Sequence, residues 1–418
     1  MKDNNGIIKV VLRKIISKMG YDMLSRSFKH YLCVYICYMI ASLLSVSFFN
    51  VYLLKAIGSA DAVMWYNLLL ACIQPVVMVA AIWILRHGSV NFCLQMGLGL
   101  HAAAYLWLAV AANVQVSAVY VLSCLFAAGN AFYYTSYTPQ MLAYTEDETR
   151  DVAFGSMGVL ATVCNLTLPL ITGFFISAFG DLVGYRIMFA ASSAVLISGI
   201  LFSFRLKRVN VEKNVPAKQI AVVFCRMLKN RDMRVMLIIT MLTAAEISGK
   251  AYYGTVLVTE LLRKESLIGT VITAGGIAGL LANIAYGKSV KIKNRGTAML
   301  RGTILTLAAT VLLNFYKTSY GYIIYFVIYS FASIFIANPV ITEYMGVLQN
   351  DIMLNEYGAE VHTCRELFYA LGRVLGLIPA FFIPASVKSA SALLIFIVML
   401  QLISAVMMIH IKDTSNKE

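Results

Sequence analysis

Twelve long apolar runs dominate this chain, and they leave it very few ways to fold. They fall at about 31–54, 62–85, 91–112, 116–143, 153–178, 184–205, 234–259, 266–287, 296–315, 320–346, 361–386 and 389–411. A helix needs roughly 20 apolar residues to cross a bilayer, because in hydrocarbon each backbone polar group must be satisfied within its own segment. Composition agrees: 60% of the 418 residues are hydrophobic, 13% are charged, and the mean hydropathy is +0.78. A soluble domain is nearer one quarter charged. The expectation is an all-α integral membrane protein with twelve transmembrane helices in two groups of six, split by the polar stretch from Arg205 to Arg234.

The net charge of +14 does not imply nucleic acid, because the basic residues sit in short loops between apolar runs. With the N-terminus in the cytoplasm, 25 Lys and Arg fall on the inside, six fall outside, and Lys250, Arg365 and Arg373 lie within spans. A false span would swap sides downstream and destroy this bias, so it supports an even number of helices with both termini cytoplasmic. That places the chain in the cytoplasmic membrane as a multi-pass protein. The eight cysteines are scattered, none forms a CxxC pair, and no metal site or disulfide framework is expected.

Outside the spans, two segments are amphipathic. Ile7, Ile8, Val11, Leu12, Ile15, Ile16 and Met19 recur at helical spacing, apart from Lys9, Arg13, Lys14 and Lys18. Such a helix suits an anionic leaflet. The central loop repeats the pattern with Ile220, Val223, Phe224, Met227 and Leu228 against Lys218, Arg226 and Lys229. The expected divisions are an N-terminal segment 1–29, a bundle 30–205, a central loop 206–233, a second bundle 234–411 and a tail 412–418.

The halves share internal marks. Pro139 in the fourth span precedes Tyr144 by five residues, as Pro339 in the tenth precedes Tyr344, and Pro169 and Pro379 occupy similar places in the fifth and eleventh. With six spans, a basic loop and six more spans, the chain resembles the major facilitator superfamily over about residues 30–411. The family's Gly-Asp-Arg-rich loop after the second span is here Arg86-His87-Gly88-Ser89-Val90-Asn91, without the aspartate. The loop from Gly287-Lys288 to Arg295-Gly296 is closer to it. Pro169 and Gly173 are what this chain keeps of the family's antiporter signature in the fifth span. Arg365-Glu366-Leu367 to Gly372-Arg373 is loosely similar to the eleventh helix of Gram-positive bacterial facilitators. The resemblance implies two parallel six-helix pseudo-repeats that rock about a midplane site.

Charged groups deep in a membrane helix are expensive and tend to face a cavity or a partner. Glu246 and Lys250 lie mid-span, four residues apart, with the glutamate first, which favours pairing; Tyr253 extends their face. The functional reading makes Glu246 a proton carrier held by Lys250; the plain one makes them a packing pair. Arg365, Tyr369 and Arg373 recur every four residues on one face of the eleventh span, with Glu366 alongside. Both arginines need carboxylates, carbonyls or an anionic solute. Arg373 is the expected cavity group. Arg365, Glu366, Glu343 and Arg150 are expected gate residues, with Glu343 a candidate partner for Arg365. Tyr133, Tyr137, Tyr253 and Tyr369 are expected to line the cavity, since their rings and hydroxyls suit an amphipathic solute. His101 joins that list, although a lone histidine in an apolar helix is more often a packing residue. Asn130, Asn165 and Asn338 read as hydrogen-bonding links between helices, and the Gly372/Gly376 pair as a close helix contact.

No Walker P-loop, HExxH or GxSxG motif occurs, so neither an enzyme nor an ATP-driven pump is expected, and no cofactor is implied. The leading expectation is a monomeric, proton-coupled exporter of a small amphipathic solute or peptide, in contact with protons, substrate and membrane lipids. The alternatives are an importer of an anionic solute anchored by Arg373 and Lys250, or a non-transporting sensor or lipid-handling protein. The last has little reason to keep Glu246, Lys250 and Arg373 at depth.

Overall fold

The computed structural model describes the backbone of residues 24–111, 113–180, 182–209, 218–351, 353–354 and 357–415. The N-terminal amphipathic segment at 6–19 lies outside the described residues. Among them the regular structure is entirely helical. The first half contains α1 (Arg26–Ile57), α2 (Ala60–His87), α3 (Val90–Val110), α4 (Val116–Tyr144), α5 (Asp147–Phe179) and α6 (Val183–Ser203). A short helix, α7 (Lys218–Lys229), leads to the second half: α8 (Arg231–Leu262), α9 (Glu265–Ser289), α10 (Arg295–Phe315), α11 (Ser319–Gln349), α12 (Gly358–Leu377) and α13 (Val387–Ser415).

Local chemistry sets these boundaries. Side chains of Ser25, Ser59, Ser89, Asn230 and Thr318 accept backbone N–H bonds at the starts of α1, α2, α3, α8 and α11, satisfying donors that would otherwise be orphaned. Gly58 ends α1 in the left-handed conformation at φ +74°, which costs a residue without Cβ nothing.

Among the described residues eleven helices are long and apolar enough to cross a membrane; α12 falls short, because Glu360, Arg365, Glu366 and Arg373 dilute its 20 residues. It is nonetheless the eleventh of twelve spans, packed along α8 and against α2. It is shorter than the sequence indicates: after Leu377 the chain turns through a 3₁₀ segment, Ile378–Phe381, and regular helix resumes at Val387. Pro379 therefore lies beyond α12, whereas Pro169 lies within α5, ten residues before its end. The two prolines do not share a depth.

The packing pattern carries the pseudo-repeat. In the first half α1 packs on α5 and α6, α4 on α2 and α3, and α3 on α6. In the second, α8 packs on α12 and α13, α11 on α9 and α10, and α10 on α13. Shifting each spanning helix by six spans turns one set into the other. Small residues repeat too: a Cβ on Gly97 would stand 3.0 Å from Gly129 O across the α3–α4 contact, and one on Gly302 3.0 Å from Ala332 O across α10–α11. Pro139 and Pro339 thus lie on corresponding helices, α4 and α11. The halves meet through α5 with α9 and α2 with α12, which the same shift exchanges.

An even number of spans puts residues 26 and 415 at one end of the bundle, with α7; we call this the terminal end and its opposite the far end. The halves are joined at the far end. Lys55 on α1 forms an ion pair with Glu265 on α9, whose carboxylate also accepts from the Tyr185 hydroxyl of α6 at 3.1 Å. The Ser266 N–H donates to Ser177 Oγ at 2.8 Å, and Trp65 packs edge-on to Phe381. Gly173 and Gly269 bring the α5 and α9 backbones together, each lacking the Cβ that would collide with the other helix. Among the described residues, the hydrogen bonds and ion pairs between the halves lie from mid-membrane to the far end. Towards the terminal end α5 exposes Phe154, Val159 and Val163.

The short helix α7 forms where the sequence pattern places it, but its apolar face meets protein rather than lipid. Val223 and Met227 are fully buried in a cluster with Met233, Met236, Leu354 and Cys364. Asp351 fixes the helix, accepting from Arg226 Nε at 3.0 Å and Asn230 Nδ2 at 3.2 Å, and also accepting the Leu354 N–H.

Candidate functional site

Two helices, α8 and α12, bring charge to the middle of the bundle, and α2 and α11 supply neutral partners. α8 supplies Glu246, 4% exposed, and Lys250 one turn further on. They form no direct ion pair. The Lys250 ammonium instead lies 2.8 Å from the centre of the Tyr329 ring on α11, where the ring's negative face takes the place of a carboxylate. α12 supplies Glu366 and Arg373, two helical turns apart, joined by a 2.7 Å bond from Arg373 Nη2 to Glu366 Oε1. Gln74, buried mid-way along α2, completes the group. Its amide donates to Glu366 at 3.0 Å and its oxygen accepts from Arg373 Nη1 at 3.4 Å. One side chain from the first half thereby bonds both members of an ion pair in the second. Tyr369, one turn before Arg373 on α12, has the Arg373 guanidinium 4.7 Å from its ring centre. Glu366 and Arg373 offset each other's charge, which limits the cost of holding them in a membrane.

Close helix contact sets this geometry. Gly372 and Gly376 let α12 press onto α8 at Met241, Ala244 and Ala245. The Ser248 hydroxyl donates to Arg373 O across the seam at 2.7 Å. The glycine pair is a packing device, as its spacing indicates.

Other expected site residues are placed differently. Glu343 pairs with Arg295 at 3.1 Å, joining α11 to α10, and is not the partner of Arg365. The reason is position: Arg365 lies over the Tyr344 ring at 4.4 Å, its Nε buried without a hydrogen-bond partner. Arg150 lies in the first turn of α5, and its side chain is outside the described residues. His101 is buried between α3 and α4, against Gly129, with ring nitrogens 2.8 Å from Gly97 O and 3.2 Å from the Asn130 amide. This is packing within the first half, not a cavity wall. Tyr133 stacks on Tyr38 at 3.6 Å, Tyr137 is half-buried on the same helix, and Tyr253 is buried on α8. The Tyr133 and Tyr253 hydroxyls lack protein partners, so each keeps a bonding capacity that water or a polar solute can satisfy. Asn338 bonds Asn283 at 3.1 Å, linking α11 to α9; Asn165 bonds its own helix at Ala161 O.

Sequence reasoning missed Gln74, Tyr329 as the seat of Lys250, and the Lys55–Glu265–Tyr185 junction. Gln74 had a signal, an amide in the centre of an apolar run beside Pro75. Among the described residues no group of three or more His, Cys, Asp or Glu could hold a metal.

Twelve spans in two related bundles that meet around a buried charge cluster are the arrangement of a secondary transporter and not of an enzyme. The sequence model of the Major Facilitator Superfamily matches residues 31–350, and the chain belongs to that family. The protein is 23% identical over 381 residues to the uncharacterized protein YqgE of Bacillus subtilis (strain 168), covering 91% of this chain and 88% of that one. Among solved structures, a POT family transporter in complex with 5-aminolevulinic acid matches with a TM-score of 0.72 at 11% identity, covering 93% of this chain and 96% of the other. The nucleoside transporter NupG matches at 0.69 and 12%, covering 93% and 99%. At these identities the likeness is one of fold.

Proposed function

We propose that this protein is a proton-coupled exporter of a small amphipathic solute or peptide, and that Glu246 carries the proton. The observation behind this reading is a buried carboxylate, mid-membrane, whose nearest cation rests on an aromatic ring instead of on it. A carboxylate in that setting changes its proton affinity when an ammonium swings towards it or when water enters, and coupling requires such a change. Lys250 has both positions within reach, Glu246 on its own helix and Tyr329 opposite.

The basic bias of the loops places the terminal end in the cytoplasm, so the arrangement described is open inward. Substrate enters between the halves and meets tyrosines of α1 and α4 on one side and the charge cluster on the other. Closure brings Arg365, which has no carboxylate partner in the open arrangement, towards the acidic stretch Glu146-Asp147-Glu148 that opens α5; Arg150, Glu343 and Glu366 belong to the same gate. The protein works as a monomer, each chain holding a whole site. Divisions at 30–205 and 234–411 correspond to the two rocking bodies.

Glu246→Gln tests the reading. In proteoliposomes it abolishes transport driven by a pH gradient while solute exchange without a gradient persists. Full gradient-driven transport by Glu246→Gln would leave Glu246 and Lys250 as a packing pair. The alternative is import of an anionic solute anchored by Arg373 and Lys250. It is favoured if Lys250→Gln raises KM for an organic anion while pH-gradient driving is unchanged.

A further inference from the structure

An arginine on a lipid-facing surface needs an explanation, and α10 carries one. Its 21 residues rise about 32 Å, close to the hydrocarbon thickness of about 30 Å, so Arg301 starts roughly 8 Å inside the hydrocarbon at the terminal end. Arg301 is exposed, flanked by exposed Ile304 and Leu305, and has no ion-pair or hydrogen-bond partner among the described residues. Charged side chains at such depth ordinarily face the bundle interior or a water-filled cavity. Arg301 instead opens onto a cleft of about 210 Å³ between α9, α10 and α11.

The lining of the cleft is graded. Asn294, the residue before α10, lines the cleft with Thr297 and Arg301 of α10 and with Ser289 from the end of α9. Below Arg301 the walls become Leu305 and Phe331, with Phe335 level with Gly302. Gly302 permits this by letting α11 approach at Ala332 and Phe335. Polar donors thus stand at the headgroup level, a guanidinium just beneath, and apolar walls at acyl-chain depth. Exposed Lys288, Lys291 and Lys293 flank the mouth in the loop above. The volume equals several waters at about 30 Å³ each, room for a phosphate group.

We infer that this cleft is a binding site for an anionic phospholipid of the leaflet at the terminal end. The Arg301 guanidinium snorkels upward to the lipid phosphate, the Thr297 hydroxyl donates to the same group, and the first acyl methylenes lie against Phe331 and Phe335. The site is separate from the transport pathway: it lies on the outer side of α10, away from Glu246, and its loss leaves proton coupling intact.

The test uses the full-length protein in vesicles of palmitoyl-oleoyl phosphatidylglycerol or phosphatidylcholine. A photoactivatable phosphatidylglycerol is expected to label segments 289–305 and 331–335, and excess inorganic phosphate is expected not to displace it. In native mass spectrometry Arg301→Gln retains phosphatidylglycerol about tenfold less than wild type, as loss of a charge-assisted bond implies. Lys388→Gln, an equal loss of charge at the far end, retains it fully, and Arg301→Lys retains most of it. Labelling spread evenly over the membrane surface, equal retention by Arg301→Gln and wild type, or no preference for phosphatidylglycerol over phosphatidylcholine overturns the site. Displacement by inorganic phosphate reassigns it to a soluble anion.

Discussion

Gly372 offers the sharpest probe of how packing sets the charge cluster. A Cβ at this position would stand 2.8 Å from Ala244 Cβ and nearer still to the Met241 carbonyl oxygen. Carbon pairs settle at about 3.5–4.0 Å, so Gly372→Ala must move α12 off α8 by roughly 1 Å. Neither wall yields cheaply, since one is backbone and the other an alanine. Overpacking of this kind costs about 1–3 kcal/mol, a fall of a few degrees in Tm. The functional cost is larger. Arg373 is the next residue, and its 3.4 Å bond to Gln74 already lies at the limit of a hydrogen bond. A further ångström breaks it and loosens the bridge between the halves. Gly346→Ala in α11 is the control: nothing lies within 4 Å of its added methyl, and in a helix alanine gains about 0.5–1 kcal/mol over glycine. Tryptophan fluorescence during thermal unfolding in detergent, beside transport in proteoliposomes, is expected to show Gly372→Ala lowered in both and Gly346→Ala unchanged or more stable. Wild-type Tm and transport in Gly372→Ala would refute the claim that this seam positions Arg373.

At the far end, Glu265→Gln removes the ion pair with Lys55 and weakens the Tyr185 bond; cysteine probes placed near Trp65 should label faster, and unchanged labelling would mean that the glycine contact alone holds this end shut. Asp351 lies outside the spans. Burial raises its pKa, but the bonds from Asn230, the Leu354 N–H and Arg226 outweigh this and hold it below the usual carboxylate range. A lowered folded pKa means its contribution is complete above the unfolded value of about 3.9 and is lost as pH falls through the folded one. Asp351→Asn should therefore expose the linker at α7 to protease at neutral pH, matching wild type only in strong acid. Cysteines at Ser59, Val116 and Ser319 should all react from outside the cell; labelling of any of them only from the cytoplasm would reverse or break the topology.

The fold was legible in the sequence because membrane insertion is a matter of length and hydropathy, both of which are local. The eleventh span was the hardest to bound, since its four charges lower its hydropathy and Pro379 ends its regular helix early. The site was half legible. Glu246, Lys250, Glu366 and Arg373 stood out because charge at depth is rare, and the Gly372/Gly376 spacing gave away the seam. Their partners did not stand out, because pairing across helices depends on rotation and depth. Lys250 chose a ring on α11 over the glutamate one turn away; Glu343 chose Arg295 over Arg365. His101 follows the packing reading of a lone histidine in an apolar helix, with its ring nitrogens on Gly97 O and the Asn130 amide.

The glycine contact between α5 and α9 also fixes a lever. From Gly173 to the start of α5 at Asp147 is 26 residues, about 39 Å of helix. Each 5° of rotation about that contact parts the terminal ends by roughly 3 Å, and 10° by roughly 7 Å. A rotation small enough to leave every helix intact thus opens a mouth the width of a single ring or a short peptide. The lever is unequal: only six residues, about 9 Å of α5, lie between Gly173 and the far end at Phe179, so the same 10° moves that end by less than about 2 Å.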